Sequence, residues 1–215
     1  MVPGDCGSLF AMTFTTCHVT ISLDGFLAGA DQSLEEPLGV GGERLHQWMF
    51  PADDGALLEG DVASREHLAK QRGAYVMGRN MFGPDRGEWA GSDWRGWWGD
   101  EPPYHAPVFV LTHHEREPQP MEGGTTFYFV TDGMEAAFKR AREAAGDGDI
   151  SIHGGANTVN QYLSAGLLNE LRLHIVPLTL GAGERLFDGV RQLDLEQVEA
   201  RAAKSVTHVT YRVLY

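Results

Sequence analysis

The run Ile150-Ser151-Ile152-His153-Gly154-Gly155-Ala156-Asn157 places two adjacent glycines where an apolar strand gives way to a helix. A helix start leaves backbone N–H groups unpaired and carries partial positive charge. Glycines lack Cβ atoms, so a phosphate can approach the main chain there. Gly154, Gly155, Ala156 and Asn157 are therefore candidate phosphate ligands, although a tight strand-to-helix turn can need glycine for steric reasons alone. A second such turn, Val76-Met77-Gly78-Arg79-Asn80, adds a planar fork of guanidinium donors suited to phosphate oxygens. Asp24 stands at the end of another apolar strand, as a carboxylate available for proton or hydrogen-bond chemistry or as half of an Asp-Gly turn.

The elements that must position these residues follow from periodicity. Cys17, Val19, Ile21 and Leu23 alternate with polar residues, which predicts a strand with one face in a core. Leu45 to Phe50 predicts a short helix whose Trp48 serves as core or pocket wall. Asp61 is an expected N-cap for a helix reaching about Gln71, followed by a strand at 74–77. Pro107 to Thr112 is nearly all apolar, as in a sheet covered on both faces. Strand 125–130 leads to Asp132 and Glu135, spaced as a capping box before an alanine-rich helix. Val159, Tyr162 and Leu163 predict a helix closed by Gly166, and 171–177 predicts the next strand, completing a βαβ unit. In such units ligands sit at the carboxyl edge of the sheet. Residues 193–203 and 206–215 predict an antiparallel edge pair.

Composition excludes several classes. The chain has 215 residues, 42% hydrophobic, enough for one sizeable core, expected over 13–215 behind a loose extension at 1–12. A formal net charge of −13 disfavours nucleic acid and anionic membrane surfaces. No apolar run approaches a membrane span or a signal peptide, and the two cysteines, Cys6 and Cys17, make no disulfide framework. A soluble, cytoplasmic protein is expected. His113-His114 lacks the companions of a catalytic metal site, so no metal is expected. Residues 84–105 carry Trp89, Trp94, Trp97 and Trp98, expected as a lid over a substrate or as a subunit contact.

Four motifs in order, S-L-D-G-F, V-M-G-R-N, the apolar strand before His113, and I-x-G-G-A with L-G-A-G, resemble the reductase domain of riboflavin biosynthesis. More broadly the chain is similar to the dihydrofolate-reductase-like family. That resemblance implies an α/β three-layer sandwich with a mostly parallel sheet and an antiparallel C-terminal edge hairpin. It implies NADPH as cofactor and hydride transfer to a small heterocyclic, pyrimidine- or pteridine-like substrate, with the 5-amino-6-(5-phosphoribosylamino)uracil reductase type of riboflavin biosynthesis as one candidate for the particular form. It places Gly78, Arg79, Asn80, Thr112, His113, Gly154, Gly155, Ala156, Asn157 and Gly181 on the cofactor, with Arg116 a further candidate for its ribose end. Asp24 becomes the catalytic residue, helping to protonate substrate if burial raises its pKa. Ser22, Phe26 and Trp48 are the expected substrate contacts, Glu184 a second carboxylate, and a homodimer the expected assembly. The alternatives are a non-catalytic nucleotide-binding module and a flavin reductase that stacks its ligand on the tryptophans.

Overall fold

Thr15–Ser22 forms β1, and seven of its eight residues are buried, so this strand lies inside the sheet with both faces covered. The one-faced alternation expected from the sequence is corrected accordingly: His18 and Thr20 face a second packed layer, while Leu23 is 68% exposed. The coordinates are a computed structural model, and they describe residues 13–50, 59–83, 87–89 and 93–215. The expected extension over 1–12 and Cys6 lie outside the described residues.

In chain order the elements are β1, β2 (Phe26–Ala28), α1 (Glu59–Leu68), β3 (Ala74–Gly78), α2 (Arg79–Phe82), β4 (Pro107–Leu111), β5 (Gln119–Pro120), β6 (Thr126–Val130), α3 (Met134–Ala145), β7 (Ile150–Ile152), α4 (Ala156–Ser164), β8 (Glu170–Val176), β9 (Glu184–Arg185), β10 (Asp194–Ala202) and β11 (Thr207–Leu214). The nine-stranded sheet runs β10-β11-β8-β1-β7-β3-β4-β6-β5. Its six inner strands from β8 to β6 are parallel, and β11 and β10 add antiparallel at one edge, as the C-terminal pattern predicts. The fold is a mostly parallel α/β sheet of the dihydrofolate-reductase-like kind.

Helices α3 and α4 cover one face, where Phe138, Tyr162 and Leu163 pack on Cys17, Val76 and Phe109. Burial pushes the Cys17 thiol pKa up, so it is an inert hydrophobe. The opposite face of β3, β4 and β6 presents Tyr75, Met77, Val108, Phe127 and Phe129 to Phe82 and Tyr104. The tryptophans complete that layer: Trp98 stacks on Phe127 at 6.0 Å, and Trp94 Nε1 donates to the Phe82 carbonyl at 2.9 Å. In its described residues the insert is thus an outer layer of this chain's own sheet, in place of a helix.

Two capping expectations are corrected. Gly133, with φ 89°, is the N-cap of α3 and no side chain caps it, so Asp132 and Glu135 form no capping box. Asp61 sits inside α1, is 2% exposed, and accepts a hydrogen bond from His208 Nε2 at 3.0 Å. The helix is seated by histidines: His67 stacks on His18 at 4.7 Å, and His174 and His208 pack against Trp48. Burial lowers the pKa of His174 to about 3 and that of His153 to about 4, while half-exposed His67 also falls to about 4. These imidazoles are neutral when folded, whereas in the unfolded chain they titrate near 6.5. Their stabilising contribution is therefore complete above about pH 6.5 and is lost as pH falls toward about 4, because the unfolded chain takes up protons first. Denaturant titrations at successive pH values are expected to give, in that window, a loss of about 1.4 kcal/mol per pH unit from each fully buried histidine. A flat profile between pH 6.5 and 4.5 would show that the imidazoles are not buried neutral.

Candidate functional site

Strands β8, β1, β7, β3 and β4 are consecutive neighbours and parallel, so their carboxyl ends share one rim. The loop holding Gly181 follows β8, Asp24 follows β1, Gly154-Gly155 follows β7, Gly78-Arg79 ends β3, and Thr112-His113 follows β4. Five turns far apart in sequence are brought together by topology alone. The register confirms their proximity: Gly78 N–H donates to the Gly154 carbonyl at 2.9 Å, and His153 N–H donates to Val76 O at 2.8 Å.

The glycines in these turns are not equivalent. A Cβ on Gly78 would stand 2.4 Å from Thr158 Oγ1, so packing alone demands glycine there. A Cβ on Gly155 would meet nothing within 4 Å, and its φ of −80° suits any residue. Neither close packing nor unusual φ accounts for glycine at 155; what a side chain would take away is open space over the start of α4. No side chain caps that nine-residue helix, leaving its first N–H groups facing the same space. The Gly154–Gly155 peptide is cis. Ala156 is buried beneath the turn and Asn157 is exposed beside it.

Arg79 starts α2, and its side chain lies along the rim. It donates to Thr112 Oγ1 at 3.3 Å and to the Gly87 carbonyl at 3.2 Å, with the guanidinium 3.0 Å above the Trp89 ring. Trp89 is itself fixed by its Nε1 bond to His114 O at 2.9 Å. Asn80 is half-buried behind Arg79, Thr112 is buried, and His113 is exposed. Arg116 does not reach out to the rim: it donates to Trp94 O at 2.7 Å and Gln119 Oε1 at 2.8 Å. Its position pins the tryptophan layer, and its Nη1 has no hydrogen-bond partner among the described residues.

Asp24 accepts from Ser22 Oγ at 2.5 Å, from Leu180 N–H at 3.1 Å and from Gly181 N–H at 2.8 Å. The Ser22 hydroxyl, followed by the two backbone donors, holds its pKa below the ordinary carboxylate value. The expectation of a raised pKa is thus corrected, because the exposed carboxyl is ringed by donors that stabilise its charged form. Asp24 is an ionised hydrogen-bond acceptor that clamps the glycine loop after β8 to the end of β1. Replacing Asp24 by Asn is expected to loosen that loop, raising amide exchange at Gly181 several-fold, readable by hydrogen-exchange NMR. Unchanged exchange would show that the clamp is unimportant.

The three expected substrate contacts sit behind the surface. Ser22 is fully buried and also accepts from Phe26 N–H at 2.9 Å; Phe26 and Trp48 are 8% and 4% exposed. Phe26 lies in β2, which pairs antiparallel with β9 rather than folding back on β1, so Asp24-Gly25 is not a hairpin between β1 and β2. Glu184 belongs to β9 and is half-buried. Sequence reasoning missed Asn160, a buried polar residue of α4. Its Oδ1 accepts from Phe187 N–H at 2.8 Å, and its Nδ2 donates to Arg185 O at 3.0 Å. A buried amide in the apolar run of a helix was the available signal.

A five-turn rim on a mostly parallel sheet, with an uncapped helix start and an arginine beside it, belongs to a dihydrofolate-reductase-like fold. The sequence profile of the RibD C-terminal domain matches residues 13–209, and the chain belongs to that family. It is 31% identical over 106 residues to the uncharacterized protein YyaP of Bacillus subtilis (strain 168), spanning about half of either chain, 48% of this one and 52% of the relative. Its fold is similar to that of a putative riboflavin biosynthesis protein from Shewanella sp. PV-4, with TM-score 0.62 and 24% identity over 94% of this chain and 100% of the other. The riboflavin biosynthesis reductase Rib7 of Saccharomyces cerevisiae gives TM-score 0.54 and 14% identity over 94% and 89% of the two chains. Among the described residues no helix is long and apolar enough to cross a membrane.

Proposed function

We propose that the chain is an NADPH-dependent reductase delivering hydride to a small substrate that carries a pyrimidine- or pteridine-like ring, of the type that reduces 5-amino-6-(5-phosphoribosylamino)uracil. The observation that carries this reading is the open space over Gly155 at an uncapped helix start, beside Gly78 and Arg79 on one rim. These residues suit a dinucleotide: backbone N–H groups of 155–157 and the Arg79 guanidinium would hold the pyrophosphate. The nicotinamide supplies the hydride when bound, and the protein supplies position and charge.

Asp24, ionised and exposed, would accept a hydrogen bond from a ring N–H and so orient the substrate. Because its pKa is lowered, the proton that accompanies hydride comes from solvent rather than from Asp24. The deciding experiment titrates the purified protein with NADPH and NADH by fluorescence, then follows NADPH oxidation with aminopyrimidines, pteridines and flavins. Turnover with an aminopyrimidine or pteridine supports the reductase. Tight binding without turnover favours a nucleotide-binding module, and a yellow protein active on flavins favours a flavin reductase.

Dimerisation through the sheet edge belongs to the same proposal. Strand β10 is exposed along almost its whole length and carries Val198, 54% exposed, at the sheet edge. Light scattering is expected to give twice the 23.6 kDa chain mass, and Val198→Lys to return it to one chain. A monomer at all concentrations would discard this assembly.

A further inference from the structure

The histidines that seat α1 form an ordered chain whose hydrogen positions can be worked out. Asp61 and His208 are 2% and 5% exposed, and a carboxylate can only accept, so His208 Nε2 carries the hydrogen across their 3.0 Å contact. A ring carrying only that hydrogen presents a lone pair at Nδ1. That atom lies 2.7 Å from His174 Nδ1, which must therefore be the N–H donor. His174 is left with a bare Nε2 acceptor. It is 3% exposed, and its Nε2 has no partner among the described residues.

His174 lines a cavity between α1 and the sheet, together with His18, Ser64, His67, Arg172 and Arg201. Both ring nitrogens of His18 likewise lack partners, and its ring centroid stands 6.0 Å from that of His174. Buried polar atoms in native proteins find partners, through ordered water where the chain offers none. A donor is needed at His174 Nε2, and a neutral His18 has one N–H to give and one lone pair to fill. Arg172 is paired with Glu170 at 2.6 Å, and no group of three metal-ligating side chains occurs among the described residues.

We infer that the Asp61–His208–His174 chain ends on a buried binding site for one water molecule, which donates to His174 Nε2 and bridges to His18. The chain is directional: a second proton on His208 would reverse the His208–His174 bond and turn His174 Nε2 from acceptor to donor. Burial foremost, and the positive charges of Arg172 and Arg201, disfavour charge on His174. Glu199, on the β10 side of the cavity, is paired with Arg201 at 3.0 Å.

The test is histidine side-chain NMR on the full chain at neutral pH. The expected spectrum shows His174 as the Nδ1–H tautomer with Nε2 bare, His208 as the Nε2–H tautomer, and a cross-peak from a long-lived water to the His174 ring. His174 protonated at Nε2, a doubly protonated His208, or no such water would overturn the assignment. His18→Phe is expected to leave the His174 tautomer in place while shortening the water's residence at least tenfold; an unchanged residence would remove His18 from the site. Zinc ion is the second probe. Spectra unchanged by Zn²⁺ support water, and coordination of Zn²⁺ at His174 Nε2 overturns it in favour of a metal site.

Discussion

Replacing Gly155 by Leu is expected to weaken NADPH binding about a hundredfold, equal to about 2.7 kcal/mol, while the protein stays folded. The two outcomes separate because the Cβ at this position meets no protein atom within 4 Å and its φ is ordinary. A side chain there occupies the space over the first N–H groups of α4, so the pyrophosphate loses both close approach and several donors. Gly78→Leu is the control, since its Cβ would stand 2.4 Å from Thr158 Oγ1 and disturb folding as well as binding. Titration of both variants with NADPH, beside thermal unfolding, makes the comparison. Undiminished binding by Gly155→Leu would remove this corner from the cofactor site and with it the central support for the reductase.

His208→Ala is expected to be the most destabilising change on the sheet face beneath α1. It leaves the Asp61 carboxylate, 2% exposed, without the N–H that satisfies it, a situation that costs about 1–3 kcal/mol and more for a charged acceptor. It also strips His174 of its Nδ1 partner. Adding Asp61→Leu to the same chain removes the stranded charge and is expected to restore much of the loss, so the double variant should be more stable than His208→Ala alone. Urea midpoints of the four proteins give the coupling directly. Additive effects would mean that Asp61 and His208 do not depend on each other.

What could be read from the sequence was what local rules govern. The strand-to-glycine turns, the helix closed by Gly166 at φ 72° and the C-terminal antiparallel pair all arise from nearest-neighbour geometry and periodicity, and all are present. The misreadings occur where a distant partner overrides the local signal. Asp61 is a residue type that caps helices but lies opposite His208 on a strand 147 residues away. Asp132 and Glu135 are spaced as a capping box, yet Gly133 supplies the N-cap. The resemblance makes Ser22 and Phe26 substrate contacts, but Ser22 is buried at the end of β1, and β9 arrives from residues 184–185 to pair with the β2 that holds Phe26. The tryptophans announced burial; only the exposed flank of β3, β4 and β6 determined what they bury against. Asp24 was found at the right place with the wrong electrostatics, because two of its three donors come from the loop at 180–181.

The position of β1 also governs when the protein can come into being. Its residues Thr16 and Cys17 lie opposite Ser151 and Ile152 on one side and Glu170 and Leu171 on the other. A chain growing on the ribosome therefore emits this inner strand before either of its neighbours and must hold it unpaired until both have emerged, about ten seconds or more at ordinary elongation rates. Until then an apolar segment with two open edges awaits its partners, so synthesis speed and chaperone capture bear most heavily on this first stretch.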